Sequence, residues 1–405
     1  MPIVTLFSGS FCSNNLVKEK LLARTGYQLV SDKEVALAAS EISSIAQGKI
    51  ERAFSAKMSV FNKFTHEKAR SIVYLRLALA QILSRENLLI AGFSAQLVPG
   101  EMSHVLRVCL IADMKSRIST AVKDQGLSAK EATKLIHRQD EDRAAWVKNL
   151  WDVSDPWDAS LYDIIIPMGK KAVEEAVVLV EENLAVDVLK TTEASKKIVE
   201  DFLLAANVEV ELAKEGHYMG VNAKDGSVTL TINKQVLALG KLQEELKSIA
   251  TRVKGVRGVN TKVGKDFYQA DIYRKFDFET PSKVLLVDDE REFVQTLSER
   301  LIMREMGSVV AYDGESALDL VKSDEPEVMI LDLRMPGIDG IEVLRRVKKS
   351  NPQIEVIILT GHGSDADRKI CMELGAFAYL HKPVDIDALS DTLKRANEKV
   401  QARKK

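Results

Sequence analysis

The sequence predicts a multidomain α/β protein, and three observations carry that expectation. Its 405 residues exceed the roughly 100–200 that one domain usually holds. From Val284 onward five short apolar runs alternate with amphipathic helical stretches, a (βα)5 pattern. Ahead of it, residues 208–263 read as strands broken by a turn, then a helix and a last strand. The formal net charge of -2 offers no global attraction to nucleic acid or an anionic membrane, so no DNA partner is expected. Cys12, Cys109 and Cys371 lie far apart with no CxxC pair, which argues against a disulfide framework or a zinc site and suits a reducing compartment. Nothing approaches the ~18 apolar residues of a membrane span, and "MPIVTLFSGSFC" lacks a basic region before a long apolar run. A cytoplasmic chain without a transmembrane segment is therefore expected.

Residues 1–190 read as a mixed α/β domain with strands at "IVTLFS", "NLLIAGF" and "VLRVCLIA" and long helices between them. The run "LFSGSFCSNNLVKEKL", residues 6–21, has the shape of a phosphate loop: strand, tight polar turn, helix. Such a loop needs glycines for close backbone approach and a lysine for the outer phosphates. Only Gly9 is present. Counted from it, the Gly, Lys and Ser or Thr of GxxxxGK[ST] fall on Asn14, Asn15 and Leu16.

The segments "TGYQLVSDKEV", "LIAGFSAQLV", "HVLRVCLIADMKSRI", "GLSAKEATKLIHRQDEDRAAW" and "LYDIIIP" resemble the cytidylate-kinase-like family, a P-loop-kinase-like α/β fold. The resemblance implies that Asp140 and Arg143, the DxxR of the lid, handle phosphates together with Arg107 and Arg117. Arginine suits that work because its fork pairs with two phosphate oxygens. The family's own "GSGG" followed by Arg falls on Cys12, Ser13, Asn14, Asn15 and Leu16, so neither loop pattern is met. Loss of a basic contact in a dry site removes about 3 kcal/mol of transition-state stabilisation, which favours a scaffold without efficient catalysis. An active nucleoside monophosphate kinase, nucleotide sensing through Gly9, Arg107, Arg117, Asp140 and Arg143, and a plain ion pair between Asp140 and Arg143 stay open.

Residues 194–263 form a compact αββαβ pattern with a turn at Asp225 and Gly226. Its "KDGSVTLTI" and "IATRVKGVRGVNTKV" resemble a BON domain, which implies either ligand or partner binding or a passive adaptor. Residues 264–282 lack clear periodicity, carry five aromatics, and are expected to be a linker packed on its neighbours.

Residues 283–402 carry the clearest signal. The runs "VLLVDD", "VVAYD", "VMILDL", "VIILTG" and "AFAYLHK" are nearly continuous in apolar residues, as strands buried on both faces of a parallel sheet are. Ligands of such doubly wound, flavodoxin-like sheets lie beyond the carboxyl ends of the strands. There the chain places Asp288, Asp289, Asp332, Thr360 and Lys382. Three converging carboxylates repel one another and call for a hard divalent cation, with Mg²⁺ the natural candidate. Lys382 and Thr360 add a charge and a hydroxyl for phosphoryl oxygens.

"VLLVDDE", "LDLRMPGIDG", "ILTGHG" and "YLHKPVD" resemble the receiver domain of two-component response regulators. The resemblance implies Asp332 as phospho-acceptor, Asp289, Asp332 and the backbone carbonyl of Arg334 as Mg²⁺ ligands, and Asp288 acting through water. It further implies Lys382 as the phosphate contact and Thr360 with Tyr379 as the switch pair. The implied partner is a histidine kinase or phosphotransfer protein. The output, by the upstream domains or an unknown protein, and a homodimer through the fourth and fifth strand face are expectations of the same kind. The basic "KVQARKK" is expected to be a solvated helix end favoured by the macrodipole.

Overall fold

The computed structural model describes residues 2–57, 66–233, 239–264, 283–302, 306–361 and 363–404. The expected linker, after its first residue, lies outside the described residues, as does His362 of "ILTGHG". Two compact units emerge, Met1–Met58 with Lys68–Tyr273, and Ser59–Glu67 with Arg274–Lys405. Among the described residues, no helix is long and apolar enough to cross a membrane.

The first unit is built on β1 (Ile3–Ser8), β2 (Gln28–Ser31), β3 (Leu88–Ala91), β4 (Val105–Ile111) and β5 (Ile164–Pro167). They pair in parallel in the order β2-β3-β1-β4-β5. Side chains alternate across this sheet into two apolar layers. Ile3, Leu88 and Ile90 enter one, and Val4, Leu6 and Leu89 enter the other, which is why these strands show no polar face. The helices are α1 (Asn14–Thr25), α2 (Asp32–Ser43), α3 (Gln47–Glu51), α4 (Glu67–Ile82), α5 (Met114–Gln125), α6 (Ala129–Trp151) and α7 (Val173–Leu184). Sequence periodicity located β1, β3 and β4. It missed β2, a four-residue edge strand with two exposed positions, and did not separate β5 from the segment around it.

After α8 (Glu193–Lys214) come β6 (Gly220–Lys224), β7 (Ser227–Ile232), α9 (Leu239–Thr251) and β8 (Gly258–Val263), in the expected αββαβ order. β6 and β7 form a hairpin, and β8 joins β7 in parallel. Asp225 and Gly226 turn the hairpin with φ of 54° and 80°, the left-handed pair that a two-residue loop requires. This small sheet does not own its first helix. Val199, Phe202, Ala206 and Val210 of α8 are buried in the core of the parallel sheet, while Ala205, Val208 and Leu212 are buried in that of the small sheet. Beside them, Glu209 is 7% exposed and pairs with Arg76 of α4 at 3.0 Å. The Arg76 guanidinium also lies 5.4 Å from the Phe202 ring centre. One helix thus serves two cores.

The second unit alternates β9 (Val284–Val287), α10 (Arg291–Ile302), β10 (Ser308–Ala311), α11 (Gly314–Ser323), β11 (Val328–Leu331), α12 (Gly340–Ser350), β12 (Glu355–Thr360), α13 (Asp365–Glu373), β13 (Ala378–His381) and α14 (Ile386–Lys404). The strands are parallel in the order β10-β9-β11-β12-β13. Leu285, Val287, Met329 and Leu331 fill one apolar layer, and Val284, Leu286, Val328 and Ile330 the other.

The basic end of the chain is not simply solvated. Glu355, fully buried at the start of β12, lies 3.0 Å from Lys399 and 2.9 Å from Arg403 of α14, with Lys348 of α12 at 3.9 Å. A buried carboxylate needs such partners, and meeting them draws the last turns of α14 onto the sheet. Removing its charge with Glu355→Gln leaves three cations facing a neutral group. The change is expected to lower unfolding stability by about 1–3 kcal/mol, less than a fully buried pair would lose because Lys399 and Arg403 keep some water. Hydrogen exchange of the last turns of α14 reports it, and unchanged protection there contradicts the role.

Candidate functional site

In the second unit, Val287 of β9 stands opposite Leu331 of β11, so the next residues of the two strands, Asp288 and Asp332, emerge side by side. Both are buried, at 4% and 5% exposure. Asp289 follows, more open to solvent, and one carboxylate oxygen from each of the three lies within 4.8 Å of the others. The backbone N–H groups of Glu290 and Arg334 donate to Asp288 Oδ1 (2.9 Å) and Asp332 Oδ2 (3.0 Å). Lys382, just past β13, brings its ammonium 2.7 Å from Asp288, 3.0 Å from Glu290 and 3.9 Å from Asp332. It also sits 4.3 Å from the centre of the Phe293 ring.

These groups hold one another in check. Burial pushes the Asp288 carboxyl up, against the pull of Lys382 and of its backbone donor. For Lys382 burial alone would favour the neutral amine, but its hydrogen bonds to Asp288 and Glu290 overturn that and raise its pKa. Asp332 Oδ1 is buried and has no hydrogen-bond partner among the described residues. An orphaned carboxylate oxygen among other carboxylates suits a hard divalent cation with oxygen ligands, and it is equally an uncommitted nucleophile. The loop beyond it is held tightly, since a Cβ on Gly340 would lie 2.1 Å from the Asp332 carbonyl oxygen.

Thr360, at the end of β12, is fully buried, and its carbonyl accepts the Lys382 N–H at 3.0 Å. The Tyr379 hydroxyl is buried and has no hydrogen-bond partner among the described residues, and burial raises its pKa. It presses on the backbone after β12: a Cβ on Gly363 would fall 1.6 Å from the Tyr379 oxygen and 2.9 Å from Thr360 Cγ2. Thr360, Gly363 and Tyr379 therefore share one packing site. Sequence reading named the first and last of these but not the glycine between them.

In the first unit, β1 lies between β3 and β4, so the loop after it opens at the switch point where ligands of parallel sheets bind. Phe11 and Ser13, with φ of 61° and 54°, take left-handed conformations there without being glycine. The site is filled by its own side chains. Arg117, 5% exposed, donates to the Ser10 carbonyl (2.8 Å) and forks onto both Asp140 oxygens (2.7 Å each). Arg143 donates to the carbonyls of Ser8 (2.7 Å) and Gln139 (2.6 Å). Gly9 lies under Arg117, where a Cβ would stand 3.5 Å from the guanidinium carbon. Burial pushes the Cys12 thiol up to about 11, so it is no nucleophile at neutral pH.

The structure thus brings Gly9, Arg117, Asp140 and Arg143 together. Arg107 is elsewhere: it stands third in β4, and its guanidinium meets the Pro99 carbonyl (2.5 Å) and Asp163 (3.9 Å). Sequence reading also missed an aromatic cluster at this end of the sheet. Phe7 lies 6.1 Å from Phe93 and 5.9 Å from Trp157.

Residues 284–394 match the response regulator receiver domain family, and residues 3–170 match the cytidylate kinase-like family. The transcriptional regulatory protein CpxR of Escherichia coli (strain K12) is 45% identical over 102 residues, 25% of this chain and 43% of its own. The chain therefore spans less than half the length of that relative. Sporulation initiation phosphotransferase F of Bacillus subtilis (strain 168) is 37% identical over 113 residues, 28% of this chain and 91% of its own. Among solved structures, a response regulator receiver domain protein from Clostridium thermocellum shares 33% identity over 30% of this chain and 96% of its own, with a TM-score of 0.28.

The packing at Gly363 yields a direct test. Gly363→Ala requires the Tyr379 ring to leave, and its exposure is expected to rise without loss of the fold. Nitration of Tyr379 by tetranitromethane, mapped by peptide mass, reads this. Equal nitration in the two chains contradicts the shared packing site.

Proposed function

The chain belongs to the response regulator receiver family through residues 284–394, and from that premise we propose that Asp332 accepts a phosphoryl group from a partner histidine kinase or phosphotransfer protein. The observation that carries the reading is the buried Asp332 Oδ1, which has no hydrogen-bond partner among the described residues and is flanked by two further carboxylates and by the Lys382 ammonium at 3.9 Å. That oxygen attacks phosphorus, the P–N bond of the donor's phosphohistidine breaks, and the leaving imidazole takes up a proton. The product is an acyl phosphate on Asp332.

Asp289, Asp332 and the carbonyl of Arg334, with Asp288 through water, would hold Mg²⁺, which when bound neutralises the clustered carboxylates and the phosphoryl oxygens. Lys382 exchanges its contact with Asp288 for a phosphoryl oxygen. Phosphorylation adds roughly -1.5 to -2 charges, and the Thr360 hydroxyl donates to the new oxygens. Tyr379, packed against Gly363 beside Thr360, shifts with Thr360, which changes the surface around β12, α13 and β13. That surface is read by the upstream domains, by a second copy of the chain or by another protein, in the cytoplasm.

The first domain serves as a scaffold without turnover, because its arginines are spent on its own carbonyls and on Asp140. The αββαβ segment serves as a BON-like binding adaptor attached through α8. Intact mass after incubation with acetyl phosphate and Mg²⁺ tests the central step. One added phosphoryl is expected, and none in Asp332→Asn. No gain in the unchanged chain sinks the proposal. In a parallel tube with ATP and CMP no CDP is expected, and its formation would make the chain a nucleoside monophosphate kinase with a receiver attached.

A further inference from the structure

We infer that Glu290 is a positioning residue of the receiver site: its carboxylate holds the Lys382 ammonium short of Asp332 and so slows phosphoryl acceptance. The inference rests on the reading of Asp332 as phospho-acceptor. It goes further by assigning a restraining role to a side chain outside the acidic cluster.

Three observations support it. The Lys382 ammonium touches Asp288 at 2.7 Å and Glu290 at 3.0 Å but stands 3.9 Å from Asp332, so its two short contacts are with acids other than the one it has to serve. The carboxylates close enough to share a cation are Asp288, Asp289 and Asp332, and Glu290 is not of that group. A cation that draws on Asp288 therefore loosens one of the two short contacts and leaves the other in place. The Phe293 ring centre lies 4.3 Å from the same ammonium, and an aromatic face attracts a cation without any carboxylate. Loss of Glu290 thus leaves Lys382 seated at the site and open to a phosphoryl oxygen instead of releasing it to water.

The local backbone fixes this arrangement. Glu290 directly precedes α10; its N–H donates to Asp288 Oδ1 at 2.9 Å and its carbonyl accepts the Val294 N–H at 3.0 Å. Both bonds belong to the main chain, so a change of side chain leaves them intact. The Glu290 side chain is 66% exposed against 11% for that of Lys382, and Glu290→Gln is therefore expected to fold. Neighbouring cations are engaged elsewhere: Arg291 lies over the Tyr312 ring (4.7 Å) and Arg334 approaches Asp367 (3.9 Å). Among the described residues, Lys382 is the cation at contact range of Glu290.

Rates of phosphoryl uptake from acetyl phosphate with Mg²⁺, read by intact mass on the full chain, test the inference. Glu290→Gln is expected to take up phosphoryl about three- to fivefold faster than the unchanged chain, the effect of removing one partly exposed charge contact. Because Glu290 acts through Lys382, that gain is expected to vanish when both chains also carry Lys382→Met. A carboxylate that merely repelled the anionic donor would give the same gain in both backgrounds, and a purely structural role would give none in either. A second measurement needs neither cation nor donor: acetic anhydride labelling of Lys382, mapped by peptide mass, is expected to rise in Glu290→Gln. Where Lys382→Met is too slow to time, the labelling decides. Equal rates, a gain that survives in the Lys382→Met background, or equal labelling overturns the inference. No uptake by the unchanged chain instead overturns the reading of Asp332 beneath it, so the two failures are distinguishable.

Discussion

Two neighbouring parallel strands that end in register force two aspartates together, and the second unit is organised around that repulsion. Two like charges about 4 Å apart near a protein surface repel by about 4 kcal/mol. The chain offsets this by bringing Lys382 to Asp288 at 2.7 Å, by pointing backbone N–H groups at one oxygen of each aspartate, and by leaving the remaining oxygen of Asp332 for something else. A fold that merely needed stability would place apolar residues there. Three retained acids, with one Asp332 oxygen lacking a hydrogen bond among the described residues, are what the proposed phosphoryl transfer would use.

The same electrostatic logic takes the opposite form in the first unit. Its loop after β1 occupies the position where a parallel sheet binds ligands, yet the surrounding cations face carbonyl oxygens and Asp140. In the receiver an acidic cluster is balanced in part by Lys382, and Asp332 Oδ1 keeps no hydrogen-bond partner among the described residues. In the first domain a basic cluster is satisfied internally and closed. A further constraint joins this domain to the small sheet: α8 presents apolar residues to both cores, so neither can shed that helix without exposing its own interior.

The receiver site was legible because its chemistry sits at strand ends, where an apolar run stops abruptly at Asp288, Asp332 or Lys382. Knowing that parallel strands end on one side of a sheet was enough to gather them. Arg107 lies apart from the other candidates for a reason equally readable: third in a seven-residue strand, it stands nearer the amino end, away from the loop. Other features depend on contacts that no local pattern reports. Lys399 meets Glu355 across 44 positions and Arg117 meets Asp140 across 23. The two-sided burial of α8 looks in sequence like any amphipathic helix with a broad apolar face. β2 was too short and too exposed to show a period. Gly363 stood at the end of "ILTGHG" with no role assigned to it, because its role is the space it leaves for Tyr379.

The claim that Asp332 is a nucleophile, rather than one of three equivalent acids, is open to direct chemical mapping. An acyl phosphate is reduced by borohydride to the alcohol, which converts the modified aspartate to homoserine. After incubation with acetyl phosphate and Mg²⁺, reduction and peptide sequencing are predicted to find homoserine at position 332 and aspartate at 288 and 289. Homoserine at 288 or 289, or at none of the three, would contradict the account.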